Sequence, residues 1–300
     1  MIQKDKYISN IVINRIEKRL IRNYGIDLLK IIAMINIINL HINKKSGLLK
    51  FDPKGLKYRQ AYLLEIFSYW PVDVFGLTSG LIGYKKYKFS NLIYLWFEYF
   101  FYSIFFSVYL YVKSNLNLQL LFLSCLPFGI RRLWYVNAYF FMYLLLPFIV
   151  NSVSFLNKKE YTKLIGLIFF MYSFYYTFLR YIFGNSNYNF SLKGYSTIWI
   201  IQLYIGGCYL GRFYMNKPIL SKKFLFVLYI CVSFFTYKFV FYNYKKTRHT
   251  NLLFVDYLSP TIIIQSFSLL MLFTDLKINN KYLIKVLLFF NPLNFNVTLL

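Results

Sequence analysis

A chain of 300 residues with a net charge of +25, in which 58% of residues are hydrophobic, 23% aromatic and only 15% charged, is not composed like a soluble domain. Its apolar runs are each long enough to cross a hydrocarbon core of about 30 Å and too continuous for the alternating strands of a barrel. Helices or closed barrels alone satisfy every backbone group in lipid, so the composition implies an all-α, polytopic transmembrane bundle. The Lys and Arg residues are spread over nearly every connecting loop. They read as flanking charge that meets lipid headgroups and biases topology, and not as one compact surface for nucleic acid.

In chain order, residues 1–23 form a basic amphipathic lead-in. Ile11, Ile13, Ile16 and Leu20 oppose Lys18, Arg19 and Arg22, a pattern suited to the membrane surface. Residues 24–300 then read as one membrane domain. Roughly nine candidate spans follow by length. They centre on Ile26 to His41, Ala61 to Gly83, Leu92 to Val112, Leu133 to Val153 and Leu164 to Phe183, then Ser196 to Tyr214, Phe224 to Tyr242, Leu252 to Phe273 and Tyr282 to Leu300. The loops are short, which leaves no room for a separate soluble domain. Cys125, Cys208 and Cys231 are far apart and form no CxxC, so neither a disulfide framework nor a zinc site is indicated. The basic loop Lys44 to Arg59 on the far side of the first span works against a simple orientation from charge alone.

No Walker motif, G-x-S-x-G elbow, HExxH or dinucleotide-binding glycine fingerprint is present. Chemistry must therefore come from polar residues within the apolar runs. The first run carries three of them, Asp27, Lys30 and His41. In a helix, Lys30 and His41 lie nearly on one face, about 16 Å apart along the axis, and Asp27 precedes Lys30 by one turn, within reach of it. Ionisable groups at membrane depth face an interior or a water-filled path and mark functional sites. Glu65, Asp73, Glu98, Arg180, Lys238 and Asp256 lie in later runs. Structural ion pairs between helices account for most of them, and Lys238 near a helix end can snorkel. His249, in Lys-Lys-Thr-Arg-His, reads as a solvated loop residue.

The first helix resembles that of the acyltransferase family 3 membrane proteins, which O-acylate bacterial polysaccharides. That family places an acidic residue three before an Arg or Lys, then ten residues, then a His. Asp27, Lys30 and His41 stand at those spacings, with Ala33 in its usual place. Val72-Asp73-Val74-Phe75 with Ser79-Gly80 is similar to the family's second-helix pattern. Leu133-Trp134-Tyr135 through Pro147 looks like its W-Y…Y-L-L-x-P helix. The chain departs where the family has R-x-x-R before the third helix, offering only Lys85, Lys86 and Lys88. It also stops at Leu300, where relatives continue, so a last helix is expected to be missing.

The resemblance implies transfer of an acyl group, acetyl from acetyl-CoA, to a sugar hydroxyl of a cell-surface polysaccharide or its lipid-linked precursor at the bacterial cytoplasmic membrane. On that reading His41 is the general base, with a covalent acyl-His intermediate as the variant mechanism. Lys30, assisted by Arg22 and Arg19, holds the anionic end of CoA. Asp27 orients Lys30, and Asp73 partners the second nitrogen of His41. The competing readings are a polysaccharide flippase or other transporter, whose charges would line a permeation path, and a polysaccharide polymerase.

Overall fold

The computed structural model describes residues 22–50, 55–83, 88–114, 134–184, 190–215, 220–242 and 250–297. They form α1 (Tyr24–Lys45), α2 (Leu56–Phe67), α3 (Pro71–Gly83), α4 (Phe89–Ser114), α5 (Trp134–Ser154) and α6 (Lys158–Phe183, with a π turn at Phe170–Tyr175). The series continues with α7 (Thr197–Phe213), α8 (Lys222–Val240), α9 (Pro260–Thr274) and α10 (Lys281–Val297). Among the described residues α1, α4, α5, α6 and α8 are long and apolar enough to cross a membrane. The lead-in before Arg22 and His249 lie outside the described residues.

The perimeter is apolar. Phe97, Phe101 and Phe105 on α4, Phe148 on α5, Phe178 on α6 and Phe226 on α8 all project outward. So much exposed aromatic surface is untenable in water and ordinary against acyl chains. The chain folds as the helical membrane bundle that its composition implies.

At the centre stands α3, with every residue from Pro71 to Thr78 buried. It packs on α1, α7 and α9, and most closely on α7. Glycine permits that approach. A Cβ on Gly80 would stand 2.0 Å from the Tyr204 carbonyl oxygen, and one on Gly207 would stand 2.0 Å from that of Leu77. With no hydrophobic drive between helices in lipid, such small-residue seams supply the packing. The Ser79-Gly80 signature therefore has a structural meaning, because Gly80 brings two backbones into contact.

Two expected spans are not continuous helices. The run Ala61 to Gly83 breaks between α2 and α3, since Pro71 lacks an N–H and restricts Trp70 before it. The carbonyl freed at Phe67 accepts from the Trp70 indole at 2.9 Å and from the Tyr229 phenol at 3.0 Å. Such repairs make a broken helix tolerable at membrane depth. The run Leu252 to Phe273 is helical only from Pro260, again with proline in the first turn. Its first part is irregular and held by side chains. Ser259 Oγ donates to Leu253 O (3.3 Å) and Asp256 Oδ1 (3.0 Å), and Thr261 Oγ1 donates to Phe254 O (3.0 Å).

At one end of the bundle Asn23 caps α1, accepting from Gly25 N and Ile26 N, while its Nδ2 donates to Thr274 O on α9 at 2.9 Å. We expect Gly207→Val to lower the melting temperature in detergent, with an overpacking cost of about 1–3 kcal/mol. Gly166→Ala, on α6 with nothing within 4 Å of the new Cβ, should leave it unchanged or raise it.

Candidate functional site

His41 lies in the last full turn of α1 and is exposed to a cavity of about 940 Å³ at that end of the bundle. Its polar lining includes Lys44 and Glu65, and its apolar floor includes Val72 and Phe75 of α3. The end of α1 is tied down two residues beyond the imidazole. Asn43 Nδ2 donates to Ala61 O at 3.0 Å and to Glu65 Oε2 at 2.8 Å, both on α2. These bonds fix α1 against α2 and place Glu65 in the same cavity as His41.

The far wall is aromatic. Tyr69 and Tyr257 have ring centroids 4.9 Å apart, Trp134 and Tyr257 5.7 Å, and Trp134 and Tyr195 4.5 Å. Each ring comes from a separate segment, so the wall depends on how those segments are held. Tyr257 follows Asp256, whose carboxylate forms a buried ion pair with Arg180 at the end of α6. Arg180 Nη1 also donates to Leu253 O at 3.5 Å. Tyr195 follows Gly194, where φ is 91° and a Cβ would stand 2.6 Å from that of Tyr257. Only glycine accepts that backbone with so close a neighbour. Leu192 and Lys193, just before it, also have positive φ, 49° and 59°. Consecutive left-handed residues cost free energy and concentrate at functional loops.

The remaining sequence candidates fall elsewhere. Lys30 is partly buried some three turns back along α1 and does not line the His41 cavity. Asp27, expected to orient Lys30, pairs with Arg22, whose Nε lies 2.6 Å from Asp27 Oδ2, and its charge also acts on Lys30. The cause is geometric: Arg22 precedes the Asn23 cap and folds back over the first turn, where an acidic residue also favours the helix dipole. Arg22, Asp27 and Lys30 still form one charged group at that end of α1. Arg19 lies outside the described residues. Asp73, expected beside His41, is fully buried behind the cavity floor. Its Oδ1 accepts from Trp199 Nε1 at 3.0 Å, joining α3 to α7. Its neighbours Val72 and Phe75 line the cavity and Asp73 itself does not.

A family model for the acyltransferase domain of acyltransferase family 3 matches residues 23–295. The chain belongs to this family. No curated protein and no solved structure matches it. Family membership makes the protein a membrane acyltransferase, which decides against the transporter and polymerase readings.

In this acyltransferase, sequence reasoning had placed Glu65 among structural ion pairs, yet it shares the cavity with His41. The aromatic wall was not foreseen either, although Trp134-Tyr135 stood out as a motif. Arg180 and Asp256 do form the kind of structural ion pair anticipated for intramembrane charges, and they form it with each other. Removing one partner strands a buried charge, so Asp256→Asn should cost about 3–5 kcal/mol. The double variant Arg180→Met with Asp256→Leu should recover most of that loss in thermal melts of the detergent-solubilised protein.

Proposed function

We propose that this acyltransferase moves acetyl from acetyl-CoA to a sugar hydroxyl of a cell-surface polysaccharide or its lipid-linked precursor. The observation that carries the reading is the division of labour along α1. An exposed imidazole stands in a cavity at one end, beside Lys44 and Glu65, and the Arg22, Asp27 and Lys30 group stands near the other.

A hydroxyl is a poor nucleophile at neutral pH, and a neutral imidazole within reach of it accepts its proton. In this mechanism the sugar oxygen attacks the thioester carbonyl as its proton passes to His41. The tetrahedral intermediate collapses with cleavage of the C–S bond, and the departing CoA sulfur takes the proton back from the imidazolium. Lys44, on the same cavity, is a cation available to the developing oxyanion. Lys30 and Arg22 lie too far from His41 to touch the reacting atoms and hold the anionic end of CoA instead. The separation of about 16 Å is spanned by the extended pantetheine arm. Asp27 offsets the charge of that cluster. Asp73 acts through the fold, by fixing Trp199 and the cavity floor.

His41→Ala should insert normally and lose acetyl transfer by roughly 10²–10⁴-fold. The wild-type rate should fall on the acid side as the imidazole takes up a proton, because the base works in its neutral form, and the variant's residual rate should lack that limb. Wild-type glycan acetylation in well-expressed His41→Ala would sink the mechanism. Lys30→Met should raise the acetyl-CoA KM more than it lowers kcat, and Lys30→Arg should retain function. An unchanged acetyl-CoA KM in Lys30→Met would remove the donor-holding role.

A further inference from the structure

The aromatic wall has a feature that packing alone does not explain. Trp70 donates its indole N–H to Phe67 O and Trp199 donates to Asp73, whereas the Trp134 indole N–H has no acceptor among the described residues. Trp134 lines the cavity and is partly exposed, so part of its indole is accessible from that space.

The rings around it pack into one cluster. Trp134 and Tyr257 are inclined by 30°, Tyr257 and Tyr69 by 35°, and Tyr195 closes against both Trp134 and Tyr257 at 4.5 and 5.0 Å. Interfacial belts of Trp and Tyr point outward to headgroups. These four rings instead converge on an interior space, and Tyr257 is buried. The volume, about 940 Å³, is within the range of small-molecule sites.

The chemistry of the lining selects the guest. A lipid chain needs no carboxylate or indole donor beside it. The diphosphate end of CoA needs several cations, and Lys44 is the one lysine or arginine among the described lining residues. A pyranose ring presents an apolar face of C–H bonds ringed by hydroxyls. That face suits an aromatic side chain such as Trp134, and the hydroxyls suit Glu65, Lys44 and the indole N–H.

We infer that Trp134 and Tyr195, backed by Tyr257 and Tyr69, form the acceptor subsite, packing against one pyranose ring and presenting its hydroxyl to His41. The inference rests on the proposed glycan O-acetylation and names how the acceptor is held. Atoms other than the reacting hydroxyl are recognised by their ring face, so the site reads a sugar as a flat, hydroxyl-rimmed object.

The test uses the full chain in nanodiscs, with methyl β-D-glucopyranoside, methyl β-D-galactopyranoside and methyl α-D-mannopyranoside as probes. Saturation-transfer-difference NMR should show saturation at the ring protons of one face of at least one probe, lost in Trp134→Ala and partly kept in Trp134→Phe. With that probe as acceptor, Trp134→Ala should raise its KM about 10-fold and leave the acetyl-CoA KM unchanged. Circular dichroism and the retained acetyl-CoA KM exclude a folding defect. No saturation transfer to any of the three probes in the wild type overturns the subsite, as does a variant that raises the acetyl-CoA KM in place of the acceptor's. Probes that bind in a Trp134-dependent way without ever accepting acetyl would uphold the subsite and refute the acetyl-transfer reading.

Discussion

The backbone contact between α3 and α7 sets the frame for everything around the site. Gly80 and Gly207 let the two helices meet with carbonyls where side chains would stand. Once α3 is fixed there, Val72 and Phe75 become the floor of the cavity, and Asp73 meets the Trp199 indole. The same contact is costly to alter, since neither Gly80 nor Gly207 has room for one added methyl group. In lipid, where apolar side chains gain little by leaving their neighbours, close backbone packing is the means by which a bundle acquires one geometry.

A second constraint is the length of α1. This one helix carries a charged group near its start and an imidazole some three turns beyond Lys30. The proposed acetyl-CoA donor, with an anionic head and a long neutral arm, suits that separation. The far end of α1 is pinned by Asn43 to α2, which makes the position of His41 a property of the bundle and not of a fraying terminus. The irregular segments that complete the cavity are costly in lipid unless each freed backbone group finds a partner. Trp70, Tyr229, Ser259, Thr261 and Arg180 supply those partners.

Features set by local periodicity were legible in the sequence. The spacing of Asp27, Lys30 and His41, the helical class and most of the helix positions follow from apolar runs and a 3.6-residue repeat. Features set by distant contacts were not. The hydrogen bond from Arg22 to Asp27 depends on how the chain turns back at the Asn23 cap, which a helical repeat does not describe. The run from Leu252 is apolar enough to be a helix, but its first part is irregular, and one of its partners, Arg180, lies in another helix altogether. The aromatic wall is assembled from four segments, so each ring alone looks like one more residue in a chain already rich in Tyr and Phe. The Ser79-Gly80 pattern was visible, but its reason lies on α7.

The claim on which the rest turns is that the His41 cavity and the Arg22–Asp27–Lys30 group open to opposite faces of the membrane. In a background with Cys125, Cys208 and Cys231 replaced by Ala, His41→Cys and Arg22→Cys can each be exposed, in sealed vesicles of one orientation, to a membrane-impermeant maleimide. The expected result is labelling of one from outside and of the other only after the interior is opened to reagent. Labelling of both from the same face would contradict the division of donor and acceptor along α1.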